Sequence, residues 1–150
     1  MPLPKIVTPT YELELPSSNQ KINFRPFLVK EEKLLVLALE SEDSTQITTA
    51  IKAVISDCIL TKGIKVETLP TFDIEYLFLN IRGKSVGESV EVNIICPDDG
   101  ETEVKVTIDL DDIKVQFDEE HQKTVKLDDQ YYMDMKYPSL AQFIRNNFEF

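Results

Sequence analysis

One apolar segment, residues 69–87, constrains the fold more than any other part of the chain. Large apolar side chains recur in it at intervals of three and four residues, and others cover a flank, so apolar surface surrounds most of a predicted helix. The face consists of Ile74, Leu77, Phe78 and Ile81, and the flank of Phe72, Tyr76 and Leu79. A helix with so little polar surface must be buried. The segment therefore predicts a central helix around which other elements pack.

Both ends of this helix carry sequence signals. The Thr71 hydroxyl can cap the first turn, and Asp73 places a negative charge where the helix dipole favours one. Gly83 can adopt the left-handed conformation that closes a helix. We therefore expect the helix to begin at Thr71 and to end at Gly83.

The first half of the chain predicts one hairpin and two further helices. Alternating apolar residues in 11–15 and 21–24 indicate the two strands of a hairpin across the intervening turn. Residues 29–40 are strong helix formers and predict a buried helix of about three turns. Asp43 resembles the first residue of a capping box, and the helix that follows carries an apolar stripe from Ile47 to Cys58.

In the second half an alternating pattern replaces the helical one. Residues 90–96 and 104–108 predict a hairpin, and residues 113–117 and 125–127 continue the alternation. We therefore expect a meander of antiparallel strands. A short last helix is predicted to begin near Ser139.

Together these patterns predict an α+β protein in which a three-helix cluster packs beside antiparallel β-hairpins or a meander. We divide the chain into an extended, proline-rich arm at 1–9, a hairpin and helical region at 10–87, and a strand-rich region with a short C-terminal helix at 88–150. A chain of 150 residues can bury a sizeable core, so the last two regions form one compact domain or two small lobes.

The charge balance limits the possible partners. The chain carries 16 basic and 27 acidic residues, which gives a net charge of −11. This charge repels a phosphate backbone, and no cluster of basic residues offsets it, so we expect no nucleic-acid binding. The chain has no apolar run long enough to span a membrane and no secretory signal at its N-terminus, so we expect a cytosolic protein without a membrane partner. An acidic surface can instead meet a basic patch on a protein partner.

The residues that could carry metal or catalytic chemistry are few. Residues 96–100 have the outline of a zinc knuckle, but Asp99 stands where the second thiolate would be. A structural zinc ion needs four thiolate or imidazole ligands, whereas this chain has two cysteines and one histidine. We therefore predict Cys58 and Cys96 to be small core residues and His121 to be a solvated loop residue, with no metal, cofactor or catalytic residue. A zinc-stabilised module or metal-dependent enzyme built from Cys58, Cys96, His121 and the acidic turns is the alternative of another class.

Three blocks of the sequence resemble the baseplate proteins of T4-like contractile-tailed bacteriophages, and most closely the baseplate hub subunit or hub-assembly protein. The blocks are residues 23–35, 39–43 and 71–87, and the similarity covers roughly residues 10–110. The resemblance implies a structural or morphogenetic protein, not an enzyme, that helps to build the baseplate hub. Its partners would be other baseplate and hub proteins, with a homo-oligomer also possible. It would act in the virion tail baseplate or in the host cytoplasm during assembly.

The candidate partner contacts follow from the same blocks and from the end of the chain. Arg25, Glu31 and Glu32 are charged residues in the segment that most resembles the family, and Phe148 and Phe150 close the chain on two aromatic side chains. We hypothesise that the charged residues either contact a partner or fix the hairpin to the helix; the alternative is that they merely cap and solvate the start of the helix. The aromatic end indicates docking, or a chain that is natively longer. Whether the protein stays in the mature tail or acts as a transient assembly chaperone stays open.

Overall fold

A computed structural model describes residues 7–148, apart from the side chains of residues 144, 147 and 148. Its elements confirm the α+β class, with helices beside antiparallel hairpins. In chain order they are β1 (Tyr11–Glu14), β2 (Lys21–Phe24), α1 (Val29–Glu40), α2 (Ser44–Cys58), α3 (Thr71–Val86), β3 (Ser89–Ile95), β4 (Glu103–Asp109), β5 (Thr124–Lys126), β6 (Tyr132–Asp134) and α4 (Leu140–Phe148). The predicted arm lies partly outside the described residues, and residues 7–10 form neither helix nor strand.

The first hairpin forms as predicted. In β1 and β2, Tyr11 pairs with Phe24 and Leu13 pairs with Ile22, so the apolar residues share the face that meets the core. The residue after β2 also bonds to the last residue of α2, because Arg25 N–H donates to the Cys58 carbonyl at 3.0 Å. The hairpin is thereby joined to the C-terminal end of α2.

Helix α2 also follows its sequence pattern. The Asp43 carboxylate accepts a hydrogen bond from Thr45 N–H at 2.8 Å, so the predicted cap is confirmed. Val54, Ile55 and Cys58 are fully buried against β2 and α3 residues of one core. The other members of this core are Leu15, Ile22, Phe24, Val66, Ile74, Leu77, Ile81 and Leu140.

The N-terminal end of α3 differs from the prediction. Pro70 occupies the capping position and no side chain caps the helix, so the cap predicted at Thr71 was wrong. Asp73 is fully buried and accepts hydrogen bonds from both the backbone N–H and the hydroxyl of Ser17. Asp73 therefore ties the β1–β2 turn to α3, a long-range role that helix rules do not reveal.

The predicted end of α3 at Gly83 was also wrong. The helix continues to Val86, and Gly87, with a φ of +139°, closes it. Gly83 is buried inside the last turns, where a Cβ would lie 3.7 Å from Leu110 Cδ1. No residue after Gly83 disfavours a helix strongly enough to stop it before Gly87.

Helix α1 has the predicted bounds, but the prediction that it is buried was wrong. Only Glu31 and Ala38 are buried, because α1 packs mainly against α2 and leaves its other sides open. Its exposed apolar side chains are those of Val29, Leu34, Val36, Leu37 and Leu39. Exposure of this kind over a whole helix is unusual for a structural element of a monomer.

The second half forms separate hairpins. Among the described residues β3 pairs only with β4 and β5 only with β6, so the expectation of one continuous meander was wrong. Asp109 ends β4, because its carboxylate accepts a hydrogen bond from Asp111 N–H and starts a short 3-10 turn. The buried Leu110 in that turn packs on Gly83 and turns the chain away from the ribbon. Residues 113–117 consequently form no strand.

Three smaller predictions can be compared directly. The turn at residues 97–100 is confirmed, with Gly100 at a φ of +68°. Cys58 is a core residue as predicted. The same prediction was wrong for Cys96, which is only half-buried and follows the end of β3, a strand whose residues are exposed or half-buried. The last helix is confirmed, and Ser139 and Gln142 cap it with reciprocal hydrogen bonds. No helix within residues 7–148 is long and apolar enough to cross a membrane.

Candidate functional site

A buried ion pair fixes the start of α1 to the end of β2. Arg25 Nη2 donates to Glu31 Oε1 at 2.8 Å, and Leu28 N–H donates to Glu31 Oε2 at the same distance. The exposed Lys30 ammonium lies 3.1 Å from Glu31 Oε1. Only 2 % of the Glu31 side chain is exposed, so the carboxylate contributes to internal structure. Pro26 lies between the two partners in the chain.

The surroundings of Glu31 keep it charged. Burial alone raises the pKa of its carboxyl group, but hydrogen bonds from Arg25, Leu28 N–H and Lys30 outweigh burial and lower the pKa to about 2. The nearby Cys58 shows the opposite result. Burial raises the pKa of its thiol to about 11, despite Arg25 Nη1 at 3.9 Å from Sγ. Cys58 is therefore a neutral core thiol and not a nucleophile.

The five predicted contact residues lie in three different settings. Arg25 and Glu31 pair with each other, which supports the hypothesis that they fix the hairpin to the helix. Glu32 is exposed on α1. Phe148 is the last residue of α4, but its side chain lies outside the description, as does all of Phe150. Partner contact by any of these residues stays a prediction.

An exposed side of α1 is a candidate interaction surface, and its edge at Leu37 borders α2. Residues three and four positions apart lie along one side of a helix, and here they are exposed. Val29 is 79 % exposed, Val36 48 % and Leu37 54 %. We name this surface the outward face of α1; it consists of Val29, Glu32, Lys33, Val36, Leu37 and Glu40.

Sequence reasoning missed the apolar members of this face. It took the apolar residues of 29–40 as evidence for burial, since an apolar helix is usually covered on all sides. The sequence does contain a sign that α1 presents an apolar surface, because the helix lacks a continuous polar side that could face solvent. Such a helix is covered either within its own chain or by a partner, and only the fold distinguishes these possibilities.

The residues of the metal-site alternative are not brought together. Within residues 7–148 no group of three histidine, cysteine, aspartate or glutamate side chains is placed to hold a metal ion. Asp99 instead accepts hydrogen bonds from the Thr102 hydroxyl and the Thr102 and Glu101 N–H groups, which lower its pKa to about 2. His121 is exposed, as predicted, but its ring stacks on Tyr137 and its Nε2 contacts the phenol oxygen.

Comparison with known proteins gives the family. No curated protein and no solved structure matches the chain significantly. The family described as "T4 bacteriophage base plate protein" matches residues 8–149, nearly the whole chain. This match confirms the resemblance at the level of the baseplate and extends it beyond the blocks that first indicated it. The chain therefore belongs to the T4 bacteriophage base plate protein family, and it is a structural protein of a phage tail baseplate.

Proposed function

We propose that this protein takes part in assembly of the baseplate hub and that it binds another hub protein through the outward face of α1. The observation that carries the proposal is the exposure of Val29, Val36 and Leu37 on a helix with apolar side chains on every side. Complete burial of one such side chain is worth roughly 1.5–3 kcal/mol, and these three are about half to four-fifths exposed. A partner that covers them gains much of that free energy.

The ion pair at Glu31 supports the proposal because it presents the face in a fixed orientation. Arg25 and Leu28 N–H hold the first turn of α1, and Lys30 also pairs with Asp57 of α2 at 3.3 Å. A helix held in this way loses little conformational freedom on binding. The buried pair thus acts indirectly, by positioning the side chains that would contact the partner.

The charges around the face indicate what the partner surface contains. Glu32 and Glu40 are exposed beside the apolar side chains, and the whole chain carries a net charge of −11. Lys33 is the single cation of the face. We infer an apolar partner patch with basic residues at its rim, since interfaces combine an apolar centre with complementary charges at the edge.

The test is a pair of matched substitutions. Val36→Asp places a charge in the outward face, and Leu127→Asp makes the same kind of change at an apolar residue of the β5–β6 hairpin that is 59 % exposed. We expect Val36→Asp to abolish co-purification with the other hub proteins while the chain stays folded, with only a small fall in melting temperature from the new like-charge pairs with Glu32 and Glu40, and Leu127→Asp to retain it. Normal hub assembly with Val36→Asp would contradict the proposal.

A second measurement separates two forms of the proposed role. We infer that the protein remains in the hub as a subunit, and quantitative mass spectrometry of purified tails should then find it in stoichiometric amount. Its absence from mature tails, together with its presence on assembling hubs, would identify a transient assembly chaperone. The family supports a non-enzymatic role in either case.

A further inference from the structure

A groove lies between α1, α2 and α3, separate from the outward face of α1. Its walls carry Phe27, Leu35, Leu39, Ile47 and Phe78, and Arg82 of α3 lies among them. Leu39 is 61 % exposed, and the other four apolar side chains are half-buried. The walls of the groove are therefore largely apolar and remain open to solvent.

Arg82 is a charged side chain among apolar ones. Its Nη1 atom is buried and has no hydrogen-bond acceptor among residues 7–148. A guanidinium has N–H donors only and no acceptor of its own. A buried donor without an acceptor is rare in native proteins and requires an explanation. By contrast, Arg25 and Lys84 are both paired with carboxylates.

We propose that this groove receives a segment of another baseplate protein that combines apolar side chains with one carboxylate, and that this carboxylate pairs with Arg82. The apolar walls select apolar side chains. The planar guanidinium selects a carboxylate, to which it can donate two parallel hydrogen bonds. Because Nη1 is covered in the free chain, the half-buried Arg82 side chain turns towards the carboxylate as the segment enters.

The distribution of charge supports this choice of partner. No acidic side chain is among the described residues that line this cavity, although the chain as a whole is strongly acidic. The groove is therefore a positively charged site on a negative molecule, whereas the outward face of α1 suits basic residues. The two surfaces require segments of different chemistry. This inference goes beyond the proposed docking of α1 and can stand if that docking fails.

The first test measures affinity for each of the phage's other baseplate proteins, purified singly, with the full chain. Arg82→Met keeps an unbranched apolar side chain and removes the guanidinium, so we expect an unchanged or higher melting temperature and at least tenfold weaker binding of one partner. Lys62→Met, at an exposed loop position, is the matched control and should leave the affinity unchanged. Arg82→Lys keeps the charge and should bind more tightly than Arg82→Met. Equal affinity of Arg82→Met and the natural chain for every partner would overturn the proposal.

The second test identifies what occupies the groove. A benzoyl-phenylalanine in place of Leu39 should cross-link to a partner segment in which an aspartate, a glutamate or a terminal carboxylate lies beside apolar residues. Arg82→Glu should remove this cross-link, and replacement of the partner's acidic residue by arginine should restore it. A cross-link to the same chain, or to a second copy of it, would refute the proposed occupant, as would a cross-link that persists in Arg82→Glu.

Discussion

At the scale of single residues, the contacts of Glu31 show how a charged carboxylate can be buried in this protein. A carboxylate that is 2 % exposed would be costly without partners, but Arg25, Lys30 and Leu28 N–H surround it with donors. The arrangement positions the helix, since it holds the first turn of α1 against the residue that follows β2. Replacing either Arg25 or Glu31 by a neutral residue leaves the opposite charge buried without a partner. Even a substitution that preserves the size of the side chain should therefore lower the stability of the fold.

Glu31→Gln is therefore predicted to destabilise the fold by roughly 3 kcal/mol, because it leaves the Arg25 guanidinium, of which 13 % is exposed, without its counter-charge. Urea unfolding at neutral pH measures this change in the free energy of unfolding. The control is Glu32→Gln at the exposed neighbouring position, for which we expect a change within about 0.5 kcal/mol. Equal effects of the two substitutions would show that the ion pair does not hold the helix.

The same residue predicts a dependence of stability on pH. The folded pKa of Glu31, about 2, lies below its ordinary value of 4.5. The stabilisation is therefore complete above pH 4.5 and is lost as the pH falls towards 2, with a full size of roughly 3 kcal/mol. The difference in unfolding free energy between the natural chain and Glu31→Gln should shrink by more than half between pH 6 and pH 2.5. A constant difference would contradict the assigned pairing.

The sequence could identify these residues but could not decide between their two roles. Arg25 and Glu31 stand out as charged groups around a proline in the segment that resembles the family. Their pairing depends on how the residue after β2 and the first turn of α1 lie relative to each other, which is a tertiary feature. Asp73 shows the same limit, because its partner Ser17 is 56 positions away in the chain.

At the scale of elements, the spacing of apolar residues in the sequence predicts some features of the helices and not others. The bounds of α1 and the buried stripe of α2 could be predicted, because both depend on propensity, caps and spacing within one segment. Whether α1 is covered could not be predicted, because coverage depends on where the other elements lie. The prediction of a meander was wrong for a similar reason. An alternating apolar pattern indicates strands, but it does not determine whether one hairpin pairs with the next.

Substitution of Gly83 distinguishes the observed end of α3 at Val86 from the end that the sequence pattern predicts at Gly83. Because Gly83 lies inside α3 and a Cβ there would make an ordinary contact with Leu110, Gly83→Ala should stabilise the fold by about 0.4–1 kcal/mol. Gly87→Ala is the comparison, and it should destabilise the fold because Gly87 has a φ of +139°. Thermal unfolding of both variants measures the effect. A reversed order would mean that α3 ends at Gly83.

At the scale of the whole molecule, the core and the surface are built by different parts of the chain. The main core draws on residues 15–81 and on Leu140 of α4, whereas the β3–β4 and β5–β6 hairpins contribute no residue to it. Leu140 N–H also donates to the Leu69 carbonyl at 3.0 Å, so the last helix returns to the first half. We infer one domain from which two hairpins extend, in place of two independent lobes.

The net charge predicts how binding responds to salt. An acidic chain that meets a basic rim is attracted at long range, and salt screens that attraction. Raising the NaCl concentration from about 0.05 to about 0.5 M should weaken binding of the hub partner to the outward face of α1 by about tenfold, mainly through a slower association rate. Glu32→Gln with Glu40→Gln should reduce this salt dependence. Binding that strengthens with salt would indicate a purely apolar contact.

The central claim is that the outward face of α1 is covered in the assembled hub. The most direct measurement is thiol labelling of a Val36→Cys chain, with Cys96 replaced by serine, before and after assembly. We expect rapid labelling of the free protein, where Val36 is 48 % exposed, and strong protection in the hub, with Leu127→Cys in the same background labelled in both. Equally rapid labelling of the Val36→Cys chain in the free state and in the assembled hub would contradict it.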